Sequence, residues 1–333
     1  MIRDVPVLDR RQALLLLGAG LAATAIGARA QETAPAWVRP DRELRVPVRG
    51  GSIFVRVNGN LSGPKAPVVM AHGGPGGNHA GFLQALPLSD ERAVVLYDQL
   101  DCGLSDRPND PANWTVERFT SEVDAVRAAL GLQQLHLLGH SWGATIALEY
   151  AARRPSGLKS VVLQGPLVST SRWIADAYRL RTRLPLEVQT ALIRGEQAER
   201  YDTPEYRAAE RAFYAEFNNR RREPAPAWLT AYRRGRGVTG NDRLYRTMWG
   251  PNEFVADGTL RDYAGDDLLE RITAPTLFLC GRYDEGTPEA CRDFAARVRQ
   301  ARVQVIENAS HAIQHERPDA YVAALRTWLR ERD

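Results

Sequence analysis

The chain has 333 residues, with 44 Lys and Arg against 40 Asp and Glu, and 44% of its residues are hydrophobic. This balance is typical of a folded protein with a substantial core, and it excludes collagen, coiled coils and small disulfide-stapled scaffolds. The formal charge of +4 comes from basic residues that are interleaved with acidic ones. A nucleic-acid surface needs basic residues gathered on one face, so we expect no nucleic-acid partner.

Residues 1–30 have the features of an export signal. Arg10 and Arg11 precede an apolar run over residues 13–28, and residues 28–30 read Ala-Arg-Ala, a small-x-small pattern that signal peptidases cleave. The run is shorter than the roughly 20 apolar residues of a membrane span. We predict a cleaved signal, most similar to the twin-arginine type, and a periplasmic or secreted mature protein with no stable membrane insertion. An uncleaved N-terminal anchor is the alternative.

Strand-like and helix-like segments alternate along most of the remaining chain. Strands are predicted at 52–58, 67–71, 93–97, 135–138, 160–163, 274–280 and 303–307, and helices at 116–130, 144–154 and 319–330. Compact apolar runs of this kind are typical of strands buried on both faces of a parallel sheet. The alternation therefore predicts an α/β fold with a mostly parallel, doubly wound sheet.

The alternation stops in the middle of the chain. Residues 171–265 are rich in Arg, Glu, Ala and aromatic residues, have helical periodicity and contain no convincing buried strand. We predict that they form a helical cap inserted into an α/β core made of residues 31–170 and 266–333.

A candidate nucleophile lies between a predicted strand and a predicted helix. Gly139, Ser141 and Gly143 form a G-x-S-x-G pattern at this position, where a tight turn exposes the serine and leaves no room for side chains at the two glycines. We predict that Ser141 is a catalytic nucleophile. The alternative is a glycine-rich turn without a catalytic role.

A serine hydroxyl needs a general base that is oriented by a third group. Asp284 follows the predicted strand ending at residue 280, and His311 follows the one ending at 307. Nucleophile, acid and histidine thus occur in the chain order that accompanies this type of serine turn. Glu285 and His315 are the alternatives for the acid and the base.

Attack on a carbonyl group also requires donors for the oxygen that becomes negative. The segment HGGPGG at 72–77 follows a predicted strand, and we predict that the backbone amides of Gly74 and Trp142 form this oxyanion hole. A phosphate-binding loop would need a GxxxxGK[ST] pattern, which is absent here. The six histidines form no HExxH or comparable cluster, so neither a metal nor another cofactor is expected.

Three cysteines, Cys102, Cys280 and Cys291, lack a CxxC spacing. In a domain of this size they are expected to be buried free thiols.

Five segments resemble the proline iminopeptidase family of α/β-hydrolases, and most closely the branch that contains the tricorn-interacting aminopeptidase and the amino-acid amidases. They are HGGPGG at 72–77, YDQLDCGLS at 97–105, GHSWG at 139–143, MWGPNEF at 248–254 and GRYDE at 281–285. The resemblance extends from about residue 45 to the C-terminus. It implies the α/β-hydrolase fold with an inserted helical cap, and release of an N-terminal residue, often proline, from short peptides or amides.

The resemblance also implies how the substrate is held. Two glutamates of that family bind the free ammonium group, and the matching positions are Glu253 and Glu285. Burying an ammonium is unfavourable unless carboxylates surround it, and such a pair would reject N-blocked substrates. As alternatives, Glu253 caps a helix and Glu285 is solvated.

Three aromatic residues, Trp142, Trp249 and Phe254, are candidates for an apolar wall around the first substrate side chain, or else for the core. Asp101 stands where the family usually has a glycine. This departure predicts a change in the loop or in the floor of the site.

Together these features predict an exported serine hydrolase that acts on a small peptide or an amino-acid amide through an acyl-enzyme. An esterase or lactonase with the same three catalytic residues, but no requirement for a free amine, is the second hydrolase hypothesis. A binding protein on a hydrolase scaffold is the non-enzymatic one.

Overall fold

The computed structural model describes residues 34–221 and 223–333, so the predicted export signal lies outside the described residues. Their central feature is an eight-stranded sheet with the strand order β1-β2-β4-β3-β5-β6-β7-β8. The strands are β1 Arg42–Val48, β2 Gly51–Asn58, β3 Val68–Ala71, β4 Val94–Tyr97, β5 Leu135–His140, β6 Leu158–Gln164, β7 Thr276–Gly281 and β8 Ala301–Ile306. β2 is antiparallel to both β1 and β4, and the other neighbours are parallel. The predicted α/β class with a mostly parallel sheet is confirmed.

Helices cover both faces of the sheet and fill the interval between β6 and β7. They are α1 Val116–Leu130, α2 Trp142–Ala152, α3 Thr170–Arg181, α4 Leu186–Gln197, α5 Pro204–Phe217, α6 Ala227–Arg236, α7 Asp242–Met248, α8 Pro288–Ala295, α9 Ile313–Glu316 and α10 Pro318–Arg330, with 3-10 segments at Ala36–Val38, His79–Asp90, Pro111–Asn113 and Asp266–Arg271. No helix within the described ranges is long and apolar enough to cross a membrane.

Local sequence signals explain where α1 begins and ends. The Thr115 hydroxyl accepts a hydrogen bond of 3.2 Å from the backbone N–H of Arg118, which caps the first turn. At the other end Gly131 adopts a left-handed conformation with φ of 65°, which terminates the helix. The predicted range 116–130 is confirmed.

Two apolar layers enclose the sheet. One packs α1, α2 and α8 against its first face, with Phe119, Ile146 and Phe294 among the buried side chains. The other packs the 3-10 segment His79–Asp90 and α10 against the opposite face, with Leu83 and Leu325 buried there. Both faces are therefore covered, which accounts for the continuous apolar runs of the central strands.

The chain between β6 and β7 forms helices α3 to α7. These helices have an aromatic core of their own, in which Tyr206, Phe213, Phe217 and Phe254 pack against Leu180. Phe254 therefore lies in the core of this helical segment.

Candidate active site

The loops that follow β3, β5 and β8 meet at the carboxyl edge of the sheet, where they border a cavity of about 300 Å³. Such crevices at the carboxyl ends of parallel strands are common ligand sites in α/β proteins. The cavity is lined by His72, Gly73, Gly74, Gly77, Asn78, Gly81, Phe82, His140, Ser141, Asn218, Arg233, Glu253, His311, Ala312, Gln314 and His315.

Ser141 lies on a sharp turn between β5 and α2, with φ of 57° and ψ of −121°. A Cβ atom on Gly139 would lie 2.0 Å from the carbonyl oxygen of Gly143, and one on Gly143 would lie 2.1 Å from that of Ala71. Neither contact is possible for a real side chain, so the turn requires both glycines. This strained turn holds the serine at the wall of the cavity.

His311 and Asp284 form a buried pair. Nδ1–H of His311 donates to Oδ1 of Asp284 at 2.7 Å, and the same carboxylate accepts backbone N–H bonds from Gly286 at 2.7 Å and Gly281 at 3.2 Å. Burial opposes the charged imidazole, but Asp284, Glu285 and Glu253 outweigh it and raise the pKa of His311 to about 9.

The hydroxyl of Ser141 and the imidazole of His311 line the same cavity. No hydrogen bond joins them among the described residues. Catalytic hydrogen bonds are often long in a site without substrate and shorten when the substrate binds. The arrangement therefore brings Ser141 and His311 to one wall of the cavity, with Asp284 hydrogen-bonded to the imidazole behind it.

Besides His311, three histidines line the cavity: His72, His140 and His315. The rings of His140 and His311 lie 4.5 Å apart between centroids, and Nε2–H of His140 donates to the His311 carbonyl at 3.1 Å. Burial and the His311 charge lower the pKa of His140 well below its ordinary value, so this ring is a neutral support. His315, the alternative base, has no carboxylate partner among the described residues, and burial lowers its pKa to about 4.

The glycine-rich loop after β3 packs directly on Ser141. A Cβ atom on Gly73 would lie 3.1 Å from Cβ of Ser141, and Gly74 next to it has φ of 126°. Nε2–H of Gln99 donates to the His72 carbonyl at 2.8 Å, and Oε1 of Gln99 accepts from the Trp142 indole at 2.9 Å. Gln99 thus ties this loop to the first residue of α2.

Two carboxylates lie beside the pair of Asp284 and His311. Oε1 of Glu253 accepts from the Tyr245 hydroxyl at 2.8 Å. Oε1 of Glu285 accepts from the Asn218 amide at 2.5 Å and lies 4.0 Å from Nε2 of His311. The other oxygen of Glu285, Oε2, is buried and has no hydrogen-bond partner among the described residues.

The two carboxylates affect each other's charge. Burial, followed by the negative charge of Glu253, raises the pKa of Glu285 well above its ordinary value. Burial also raises the pKa of Glu253, although the Tyr245 hydroxyl and His311 oppose the shift. A cation between them would relieve both effects.

The three aromatic candidates lie behind the cavity wall. Trp142 is completely buried and directs its indole to Gln99. Trp249 packs edge-on against Trp173, and Phe254 belongs to the helical core described above. The wall itself includes Phe82, and the Trp173 ring lies 5.6 Å from the His311 ring.

Asp101 adopts φ of 67° and is completely buried. Its carboxylate accepts hydrogen bonds from the Trp114 indole at 2.8 Å and from the Asn109 backbone at 2.7 Å. The side chain does not border the cavity. It braces the loop after β4, so the predicted effect on the floor of the site is not observed.

Cys102, Cys280 and Cys291 are buried free thiols, as predicted. Within the described ranges, no group of three or more His, Cys, Asp or Glu side chains is arranged to hold a metal ion.

Residues 66–318 match the family described as alpha/beta hydrolase fold, so the protein is an α/β hydrolase by class. A proline iminopeptidase of Heyndrickxia coagulans is 38% identical over 289 residues, which cover 85% of this chain and 97% of that protein. The crystal structure of VinJ is 36% identical, with 89% of this chain and all of VinJ covered and a TM-score of 0.80. The proline iminopeptidase of Mycobacterium smegmatis is 33% identical, with coverages of 87% and 98% and a TM-score of 0.78.

The chain belongs to the proline iminopeptidase family of α/β hydrolases. The resemblance of its five sequence segments is thereby confirmed, and the protein is a hydrolase by family.

Several residues at the cavity were not found from the sequence. Asn218, Trp173, Tyr245 and Arg233 lie in none of the five segments, and Gln99 lies in YDQLDCGLS but was not singled out as a site residue. They reach the site because the helices between β6 and β7, and the loop after β4, fold over the edge of the sheet.

Proposed function

We propose that the protein is a serine aminopeptidase that releases N-terminal proline, or another small apolar residue, from short peptides and amino-acid amides. The observation that carries this proposal is Glu285, which has one carboxylate oxygen buried without a partner among the described residues and a second carboxylate, Glu253, near enough to raise its pKa. A substrate ammonium between them supplies the missing hydrogen bonds and the compensating charge. The proline iminopeptidase relatives support the choice of proline.

In the proposed reaction the Ser141 hydroxyl oxygen attacks the carbonyl carbon of the N-terminal residue. Nε2 of His311 accepts the hydroxyl proton, while Asp284 holds the imidazole through its Nδ1–H. The carbonyl oxygen becomes negative, and the backbone amides of Gly74 and Trp142 donate hydrogen bonds to it.

Collapse of this intermediate breaks the C–N bond. His311 gives its proton to the departing amine, and the N-terminal residue remains as an ester on Ser141. A water molecule then attacks the ester as His311 accepts its proton. Release of the free amino acid returns the proton to the serine oxygen, and the enzyme is regenerated.

The test is release of proline from proline p-nitroanilide, combined with covalent labelling by a fluorophosphonate. The wild-type protein should release nitroaniline and take up one label, and Ser141→Ala should do neither while keeping the wild-type unfolding midpoint. Labelling without release from any aminoacyl anilide, accompanied by rapid hydrolysis of simple esters or lactones, would replace the proposal by the esterase hypothesis.

We also propose that the protein acts outside the cytoplasm, on the basis of the signal-like features of residues 1–30. Expression in a bacterium with a twin-arginine pathway should give a periplasmic protein shortened at its N-terminus. Replacement of both Arg10 and Arg11 by lysine should leave it in the cytoplasm at full length. An uncleaved protein in the membrane fraction would instead support the N-terminal anchor.

A further inference from the structure

The catalytic cavity has opposite charges at separate places on its wall. Glu253 lines it, with Glu285 immediately behind Asn218. Arg233 of helix α6 lines it as well. Burial lowers the pKa of the Arg233 guanidinium, and no described carboxylate lies within ion-pair distance of it. Arg233 therefore does not neutralise the two glutamates.

The side chain of Arg233 is unusual among the arginines of this chain. Its Nε atom is buried without a hydrogen-bond partner, and no described residue forms an ion pair with its guanidinium. Most arginines near the site are engaged: Arg220 pairs with Glu216, and Arg221 donates to the His315 carbonyl at 3.1 Å. Leaving a buried guanidinium N–H unsatisfied is unfavourable, so the position is suited to an anion that arrives from outside.

The surroundings of Arg233 carry positive charge. The charges of Arg233 and Arg221 add to the effect of burial in lowering the pKa of His315, which keeps that ring neutral. His315 also lines a neighbouring polar cavity of about 380 Å³, whose wall carries Arg220, Arg221 and Arg317 together with Glu223 and Glu316. On the His315 side of the catalytic cavity, Arg233 is therefore a positive charge without an ion-pair partner among the described residues, whereas the side of Glu285 is electronegative.

In a peptide, the ammonium group, the first carbonyl group and the next residue follow one another along the chain, and this order fixes which part of the cavity each can occupy. If the substrate ammonium lies at Glu253 and Glu285 and its first carbonyl at Ser141, the departing residue extends from Ser141 to the part of the wall that the glutamates do not occupy. In a dipeptide, the α-carboxylate follows one residue beyond the cleaved bond. The catalytic cavity, at about 300 Å³, is at the small end of ligand sites and suits a substrate of this size.

We propose that Arg233 binds the free α-carboxylate of the departing residue, which makes dipeptides with a free C-terminus the preferred substrates. The guanidinium is planar and offers paired N–H donors that match the two carboxylate oxygens. Arg233 thus acts as a specificity-determining residue at the leaving side of the cleaved bond. This inference rests on the aminopeptidase function proposed above.

The test compares prolylglycine with prolylglycinamide, which differ only in the terminal carboxylate. The wild-type protein should have a kcat/KM about 10-fold to 100-fold higher for the acid than for the amide, the range expected for a charge-assisted hydrogen bond. Arg233→Met should reduce this ratio to about 1 by lowering kcat/KM for the acid alone. Arg233→Lys should restore part of the ratio, because it keeps the charge but not the planar pair of donors.

Arg234→Met is the matched control, since Arg234 is the next residue of α6 and is exposed to solvent. It should leave the ratio of acid to amide at the wild-type value. A wild-type enzyme that cleaves both substrates equally well would overturn the inference, as would an Arg233→Met variant that keeps the preference for the acid. Either result leaves the aminopeptidase function intact if proline is released. A protein that releases proline from neither dipeptide nor anilide would overturn both.

Discussion

At the scale of a single residue, burial and neighbouring carboxylates have opposite effects on the pKa of the His311 imidazole. Burial favours its neutral form, but Asp284, Glu285 and Glu253 favour the cation and raise its pKa to about 9. A general base must be neutral to accept a proton. A substrate ammonium bound between the two glutamates would cancel much of their charge, so binding of a free amine would prepare His311 to act as the base.

Replacement of Glu285 tests this influence directly. Glu285→Gln removes a carboxylate that lies 4.0 Å from Nε2 of His311, so the imidazolium loses stabilisation and the pKa of His311 falls. The rate of fluorophosphonate labelling depends on neutral His311 and needs no substrate amine. Its midpoint in a pH titration should move to lower pH in Glu285→Gln.

Glu289→Gln is the control for this titration, because Glu289 is a nearby exposed glutamate in the first turn of α8. It should leave the midpoint unchanged. If Glu285→Gln titrates like the wild-type protein, the carboxylate does not act on His311.

At the scale of secondary-structure elements, the C-terminal end of α5 holds together the loops that carry Glu285 and His311. The carbonyl of Phe217 accepts the backbone N–H of Glu285 at 3.1 Å and that of His311 at 3.3 Å, and the carbonyl of Asn218 accepts that of Ala312 at 2.9 Å. The Asn218 side chain adds the bond to Glu285. A helix of the segment between β6 and β7 therefore positions loops that belong to the sheet.

Asn218→Ala removes the side-chain hydrogen bond to Glu285 and keeps the backbone hydrogen bonds of Phe217 and residue 218. Glu285 loses a donor to its carboxylate, and the group becomes harder to ionise and less fixed in position. We expect kcat/KM for proline p-nitroanilide to fall about 10-fold, mainly through KM, with little change in the thermal unfolding midpoint. Asn219→Ala, at the exposed neighbouring position, should behave like the wild-type protein. Equal kinetics for the two variants would remove Asn218 from the binding of the amine.

The turn around Ser141 gives a prediction about stability. Gly139→Ala places Cβ 2.0 Å from the Gly143 carbonyl oxygen, and the backbone must shift to relieve the overlap. We expect a loss of about 2 kcal/mol or more in the free energy of unfolding, with loss of activity. Gly235→Ala in α6, where nothing lies within 4 Å of the added atom, should stabilise the protein by about 0.5–1 kcal/mol. Urea denaturation of both variants distinguishes the two cases, and a stable, active Gly139→Ala would contradict the geometry of the turn.

Strands and helices whose apolar residues are continuous or regularly spaced could be predicted from the sequence, whereas elements with an interrupted pattern could not. The central strands and α1 were predicted because their burial is continuous or regularly spaced. β1 was missed because Pro47 interrupts its pattern, yet a proline is tolerated there since β1 lies at the edge of the sheet and pairs only with β2. The 3-10 segment His79–Asp90 was missed because it contains Pro87 and has no amphipathic period.

Some residues of the candidate site could likewise be predicted from the sequence, and others could not. Ser141, Asp284 and His311 were predictable because a strained turn and two strand ends leave local signals. Asn218 and Arg233 leave none, since their positions depend on how helices α5 and α6 fold over the sheet edge. For Trp142, Trp249 and Phe254 the sequence left wall and core open, because only packing distinguishes an aromatic core from a binding surface.

At the scale of the whole molecule, a buried carboxyl in α1 links stability to pH. Burial raises the pKa of Glu122 to about 7, although Arg118 and the Leu100 N–H oppose the shift. The folded state therefore binds this proton more tightly than the unfolded chain does. The stability that it contributes is fully present below the ordinary glutamate pKa and is lost as the pH rises through about 7.

Glu122→Gln should remove this dependence while keeping an oxygen that can accept from the Leu100 N–H. Between pH 5 and pH 8 the free energy of unfolding of the wild-type protein should fall relative to that of the variant, by on the order of 3 kcal/mol. Glu117→Gln, exposed in the first turn of the same helix, is the control and should follow the wild-type protein. Parallel pH profiles for the wild-type protein and Glu122→Gln would show that the carboxyl titrates normally.

The proposed function requires that the cavity recognise a free amine beside a reactive serine. The most direct measurement is the ratio of kcat/KM for proline p-nitroanilide to that for its N-acetyl derivative. We predict a ratio of about 100 or more for the wild-type protein, since an unpaired buried carboxylate is costly, and a ratio near 1 for the double variant with glutamine at positions 253 and 285. Equal turnover of the free and the blocked substrate by the wild-type protein would show that the cavity does not recognise the free amine.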